Sequence, residues 1–312
     1  MKIRCFTIPL LLLMTSASLK AQALQAAPAP AAYKFSSAEK RTVVPFELNQ
    51  DGIFFRLQIA GSSEPLWFSL DTGSGSSYLD SKVAKRLGLK TAGGGTVHGA
   101  GSGSVPVSFI EGVTFELPGL ISSGHRVNTT DLSGLQGHHP MDGFLGHDFI
   151  SRYVITVDYA AGKMTIAEAM GYSYAGSGEI FPIQFQGKWP YIEGTIAVPG
   201  VKPSKEEFLV DSGSGDAVDD PAILKTTAPV RKVKTGVGLG QPGEGVLGRA
   251  LYLQLGRYRL EGPITSCCSS NPGDQHKIGT EVLRRFTLIL DYVRDRMILE
   301  PNEKFKEIFP NA

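Results

Sequence analysis

The sequence predicts an all-β protein of two similar halves with a few short helices. Three observations carry that prediction. Glycine makes up 37 of 312 residues and serine and threonine are plentiful, a composition suited to many turns rather than to a helical bundle. Short runs alternate apolar and polar residues, as in Ile53-Phe54-Phe55-Arg56-Leu57-Gln58-Ile59, the period of a half-exposed strand. One pattern also occurs twice, as Phe68-Ser69-Leu70-Asp71-Thr72-Gly73-Ser74-Gly75 and as Phe208-Leu209-Val210-Asp211-Ser212-Gly213-Ser214-Gly215. In both copies a mostly apolar strand delivers one carboxylate into a tight turn.

The ends and the composition set limits. Lys2 and Arg4, the apolar run 5–14 and the small-x-small site Ala21-Gln22-Ala23 read as a signal peptide over 1–23, so the chain is expected to be exported, periplasmic or secreted. The apolar run falls short of a bilayer span, and no membrane association is expected once the signal is cut. Cleavage removes Lys2, Arg4 and Lys20 and turns the formal charge of +1 slightly negative, which leaves no basic excess for nucleic acid. Cys267 and Cys268 are neighbours that can close only a strained ring, so a disulfide framework is not expected, nor is a zinc site without a second cysteine pair.

Residues 24–45, with Ala26-Ala27-Pro28-Ala29-Pro30-Ala31-Ala32, are poor in bulky apolar groups and read as a flexible linker or a short propeptide. Order is expected from Val43-Val44-Pro45-Phe46-Glu47-Leu48, with a turn at Asp51-Gly52 before the alternating strand. After the first Asp turn, the spacing of Val83, Ala84 and Leu87 predicts a short helix capped by Asp80 or Ser81. The glycine-rich run 93–103 leads into the extended Val105-Pro106-Val107-Ser108-Phe109. A phosphate cradle would need a helix N-terminus there, so a mobile hairpin with His98, Gly99 and Gly101 near its tip is the better reading. Further on, Gly143-Phe144-Leu145-Gly146 and Lys277-Ile278-Gly279 are followed at identical spacing by Arg152 and Arg285, Asp158-Tyr159 and Asp291-Tyr292, and Met164 and Met297. This is an internal repeat, and it divides the chain into halves of 46–175 and 176–305. In the second half, Tyr191 to Val198 has strand character, and Gly238 and Gly240 stand where a second hairpin tip would be.

The doubled Asp71-Thr72-Gly73 and Asp211-Ser212-Gly213 resemble the signature of the pepsin-like and retropepsin-like aspartic peptidases, and the Gly146 and Gly279 elements resemble the apolar-apolar-Gly segment that packs behind it. The resemblance covers most of residues 46–301. It implies two lobes, each a small closed β-barrel of the acid-protease type, and a monomeric endopeptidase that needs no cofactor and acts on a peptide or protein. It further implies Asp71 and Asp211 as catalytic carboxylates, Thr72, Gly73, Ser212 and Gly213 as their supports, and His98, Gly99, Gly101, Gly238 and Gly240 as flap residues. Two carboxylates held side by side share a proton, so one serves as acid and the other as base. Ser69 and Lys277 depart from the family pattern, each standing where an apolar residue is expected. A silent peptide-binding protein of the same fold is the alternative.

Other chemistries fit less well. His138, His139, His147, Asp142 and Asp148 cluster in sequence but in a Pro/Gly-rich loop, without the helical spacing of a zinc hydrolase. Asp216, Asp219 and Asp220 lack the periodicity of a calcium loop and read as a solvated turn or a helix start. No Gly-x-Ser-x-Gly elbow is present for a serine hydrolase.

Overall fold

The computed structural model describes residues 32–310 apart from 51, 100–101, 136, 138, 236–237, 242 and 269–275. The segments read as signal peptide and as the alanine–proline stretch before Ala32 lie outside these residues, as do Asp51, Gly101 and His138.

Three sheets account for the fold. The N-terminal sheet has the order Ala32–Phe35, Leu120–Thr130, Tyr78–Asp80, Gly143–Leu145, Leu66–Leu70, Gly52–Ile59, Val105–Leu117 and Ala92–Val97, with Glu47–Asn49 paired to Gly52–Ile59. The C-terminal sheet repeats the plan: Arg231–Thr235, Gly243–Arg249, Ile264–Cys267, Val218–Asp219, Lys277–Ile278, Ser204–Val210, Trp189–Ala197, Tyr252–Leu255 and Tyr258–Glu261. Between them runs a six-stranded sheet in the order Glu179–Pro182, Arg296–Pro301, Phe286–Asp291, Tyr153–Asp158, Lys163–Glu168 and Arg41–Pro45. Its central pair joins the two repeats, with Val154 opposite Asp291 and Asp158 opposite Thr287.

The expectation of two closed β-barrels is corrected by this topology. Each large sheet runs from one free edge to another, Ala32–Phe35 to Ala92–Val97 in the first and Arg231–Thr235 to Tyr258–Glu261 in the second. In the first, Val105–Leu117 and Leu120–Thr130 also pair with each other through bulges, which bends the sheet strongly but leaves its two outermost strands each paired on one side alone. In the second, the corresponding hairpin is broken at Ala250-Leu251 and at Gly262-Pro263, where the proline has no N–H to give to a ladder. The resemblance also gave no warning of the shared six-stranded sheet.

Local expectations are met where the pattern was strong. Asp80 caps the helix Ser81–Arg86, its Oδ1 accepting from the N–H groups of Lys82 at 2.8 Å and Val83 at 3.3 Å. Ordered structure is already present at Ala32, ahead of the expected Val43, because Ala32–Phe35 pairs with Leu120–Ser123 and lays Phe35 and Tyr33 against Tyr153. The repeat is exact in register: Met164 faces Val157 as Met297 faces Leu290. Both methionines are fully buried, as are Tyr159 and Tyr292. Cys267 and Cys268 are joined to each other as a disulfide.

The core is continuous across the sheets, and its largest fully buried side chain is a cation, Arg285. Its guanidinium donates to the carbonyls of Glu281 and Glu307, pairs with the Glu281 carboxylate at 3.2 Å and lies over the Phe309 ring at 3.7 Å. A buried charge so fully partnered anchors the C-terminal segment to the helix Thr280–Leu283. Its repeat counterpart, Arg152, donates to His125 at 2.9 Å and to the Ser123 carbonyl at 3.3 Å.

Candidate functional site

Each Asp turn grows from the end of an apolar strand. Leu66–Leu70 and Ser204–Val210 carry buried Phe68, Leu70, Phe208 and Val210, and each is flanked in parallel by a short strand, Gly143–Leu145 or Lys277–Ile278. The Asp71 N–H donates to the Leu145 carbonyl and the Asp211 N–H to the Ile278 carbonyl, both at 2.9 Å. Each turn then closes identically, with Ser74 donating to Asp71 and Ser214 to Asp211 at 3.3 Å. Gly146 and Gly279 sit against the turns so closely that a Cβ would stand 2.4 Å from the Ser76 and Asp216 carbonyls respectively. Any other residue there would push the carboxylate-bearing turn away.

The two turns are laced together. Thr72 Oγ1 donates to the Val210 carbonyl at 2.6 Å and accepts from the Ser212 N–H at 2.9 Å. In return Ser212 Oγ donates to the Leu70 carbonyl at 2.7 Å and accepts from the Thr72 N–H at 3.1 Å. Three buried polar groups on each side are thereby satisfied, and the turns share one fixed geometry. The glycines after them let each turn approach the opposite carboxylate. A Cβ on Gly73 would lie 2.5 Å from Asp211 Oδ1, and one on Gly213 would lie 2.5 Å from Asp71 Cγ.

The two carboxylates have different surroundings. Asp211 Oδ1 accepts from the Gly213 N–H at 3.0 Å, while Lys277 Nζ stands 3.7 Å from its Oδ2. Asp71 Oδ1 is buried and meets no donor among the described residues. Burial, then the charge of Asp211, push the Asp71 carboxyl up to about 8, against the pull of the Gly73 N–H, Lys277 and the Ser74 N–H. Nearby, Tyr292 is raised by burial and by Asp71, and its hydroxyl has no partner among the described residues. Trp189 Nε1 donates to the Gly73 carbonyl at 2.9 Å, tying the start of the strand Trp189–Ala197 to the first turn.

Two hairpins, Ala92–Val97 with Val105–Leu117 and Arg231–Thr235 with Gly243–Arg249, meet at their tips. Ser102 and Gln241 exchange backbone hydrogen bonds of 2.8 and 2.9 Å. A Cβ on Gly99 would fall 2.5 Å from the Leu239 carbonyl oxygen. His98 Nδ1 lies 2.8 Å from the Gly103 carbonyl and closes its own loop. Gly240 takes φ +107°, which only glycine adopts freely, and Gly238 lies beside Leu239, whose side chain packs on the cluster of Phe54, Tyr78, Leu132, Met141 and Phe144.

Sequence neighbours read as possible metal ligands disperse into structural roles. His139 stacks on Phe54 at 4.3 Å, His147 lies between Phe185 and Tyr292, Asp142 accepts from the Trp67 N–H, and Asp148 from the Ser77 hydroxyl. Among the described residues no group of three or more His, Cys, Asp or Glu side chains is arranged to hold a metal. Of the solvated turn or helix start expected at Asp216, Asp219 and Asp220, the helix start is found at Asp220, and the solvated reading is corrected for Asp219. Asp220 is fully buried, caps Pro221–Lys225 and accepts from His276 at 2.6 Å, whereas Asp219 pairs with Lys277 at 2.8 Å. Sequence reading missed this Lys277 pairing; its one signal was a lysine in an apolar position.

A mostly β chain with an Asp-hydroxyl-Gly turn backed by an apolar-apolar-Gly segment is an aspartic-protease-like arrangement. A family model described as aspartyl protease matches residues 55–149, a stretch that contains the Asp71 turn and the Gly146 element but not Asp211. No curated protein matches the chain. No helix among the described residues is long and apolar enough to cross a membrane.

Proposed function

We propose that the protein is an aspartic endopeptidase, two-lobed in function, whose reacting groups are Asp71 and Asp211. The observation that carries the reading is the reciprocal lacing of Thr72 and Ser212, with Gly73 and Gly213 each drawn against the opposite carboxylate. Such a lock aims two acidic side chains at one place, at the expense of holding one of them uncharged. The charged carboxylate takes a proton from water as its oxygen bonds to the peptide carbonyl carbon, and the protonated one gives its proton to the carbonyl oxygen. On collapse the first carboxyl protonates the departing nitrogen, the C–N bond breaks, and a hydroxyl proton returns to the second. No covalent enzyme intermediate is required. The hairpins joined at Ser102 and Gln241 would cover an extended peptide laid across the turns.

The competing reading is a peptide-binding protein without turnover. One observation favours it: Lys277, whose Nζ lies 3.7 Å from Asp211 Oδ2, stands where the family pattern has an apolar residue. Hydrolysis of an unfolded protein scanned from about pH 3 to 8 separates the two, together with inhibition by a statine-type peptide. Cleavage that disappears in Asp71→Asn and in Asp211→Asn supports the peptidase. Peptide binding with no cleavage at any pH in the wild type supports the silent binder.

A further inference from the structure

The two halves differ at one matched pair of positions beside the Asp turns. In the first half Phe144 lies opposite Ser69 in the parallel pairing and opposite Tyr78 in the antiparallel one. In the second, Lys277 occupies the corresponding register, opposite Leu209 and opposite Asp219. Ser69 and Leu209 each stand two residues before an Asp, so the positions are equivalent in space as well as in sequence. A stacked aromatic pair, Tyr78 on Phe144 with centroids 4.8 Å apart, is thus replaced by an ion pair, Lys277 to Asp219 at 2.8 Å.

The replacement reaches the reacting groups. Lys277 is largely buried, and its Nζ lies 3.1 Å from Ser214 Oγ and 3.7 Å from Asp211 Oδ2. Desolvation opposes its charge, yet Asp219, Asp211 and Asp216 together outweigh that penalty and hold the ammonium well above the usual lysine range. On the other side, Asp71 faces Asp211, Tyr78 and Tyr292; the aromatic pair supplies no cation to it, and the pull that Lys277 exerts on Asp71 as well is outweighed by burial and by Asp211.

We propose that Lys277 is a positioning residue that makes the paired carboxylates unequal: its ammonium keeps the negative charge on Asp211 and leaves the shared proton on Asp71. This rests on the peptidase reading and deepens it, because Asp211 then serves as the base toward water and Asp71 as the acid toward the carbonyl oxygen. The proton balance is the one given above, with the roles assigned. A consequence is that removing the cation should make the paired carboxylates more sensitive to acid, since an ammonium 3.7 Å from Asp211 Oδ2 favours one negative charge on the pair. High affinity for the proton on Asp71 sustains the same state on the alkaline side.

The test uses the full chain with Lys277→Met, Lys277→Arg and Asp219→Asn, and two readouts. The first is kcat/KM on a peptide across about pH 3 to 9. Lys277→Met is expected to move the acidic limb to higher pH by about one unit, a tenfold loss of kcat/KM on that limb, and Lys277→Arg to restore it. Asp219→Asn, which frees the ammonium to act on Asp211, is expected to move the limb the other way. The second readout, carbon NMR titration of labelled aspartate with Asp71→Asn and Asp211→Asn as assignments, does not depend on turnover. Asp211 carrying the charge in wild type, and sharing it with Asp71 in Lys277→Met, supports the proposal. An acidic limb at the same pH in Lys277→Met and wild type overturns it, as does an NMR titration that Lys277→Met leaves unaltered. If Lys277→Met does not fold, Asp219→Asn decides by the same readouts, with an unmoved limb or unmoved titration counting against. Absence of cleavage in every protein would defeat the peptidase reading, and the NMR titration would then decide the assignment of charge by itself.

Discussion

At Asp71 a carboxyl group is kept in a place that opposes its charge. Burial and Asp211 raise it to about 8, so the folded protein retains this proton where the unfolded chain has released it. The sign follows from proton linkage. A group with a raised folded value favours the folded state fully below its unfolded value, near the ordinary carboxylate value of 3.8, and that contribution is lost as pH rises toward about 8. Asp71→Asn is therefore expected to abolish this decline and to melt above wild type at about pH 8 by calorimetry, while kcat falls by at least about a hundredfold. At Thr72 the reasoning is different. Thr72→Ala strips the partners from the Val210 carbonyl and the Ser212 N–H, both buried, and should cost about 2–4 kcal/mol in a denaturant titration. Thr72→Ser keeps both bonds and should recover most of it.

Among the described residues of the two hairpin tips, Ser102 and Gln241 exchange backbone bonds and the Ser102 hydroxyl donates to the Gln241 carbonyl at 3.2 Å. Both residues are exposed, and a bridge of solvent-exposed hydrogen bonds is suited to opening and closing. Such an antiparallel pair brings its Cα atoms to about 5.5 Å, within reach of a disulfide. Ser102→Cys with Gln241→Cys should therefore cross-link on oxidation. Peptide hydrolysis by the oxidised form is expected to drop by at least about tenfold and to return with reductant, wild type under the same reductant serving as control. Hydrolysis that is indifferent to the cross-link would show that the tips need not part for substrate to enter.

Over the whole molecule, the six-stranded sheet decides whether the halves are separable. Tyr153–Asp158 takes one edge from Lys163–Glu168 and the other from Phe286–Asp291 in the opposite repeat. A fragment of residues 32–175 would expose that edge and the apolar Val154 and Ile155 beside it. It should self-associate in size-exclusion chromatography, and adding the complementary fragment should return a single compact species. The lacing of Thr72 with Ser212 works at this scale too. It orders the two turns only when both halves are present, so neither fragment is expected to cleave peptide.

Legible along the chain were local features: the apolar strands that end in Asp71 and Asp211, the Asp80 helix cap, and the matched spacing from Gly146 to Met164 and from Gly279 to Met297. These depend on side-chain period, turn chemistry and chain distance, all of which are written along one dimension. Tertiary structure decided the rest. Free sheet edges replaced closed barrels because which strands pair, and which edges they leave, depends on segments that meet only in the folded chain. Ala32–Phe35, weak in pattern, became a strand because Leu120–Thr130 offered it a partner. Lys277 looked like a lapse in an apolar motif, and the acids that accept its charge come from two other segments. A charge buried in company is read only when the company is in place, since its energy depends on distance through space and not along the chain.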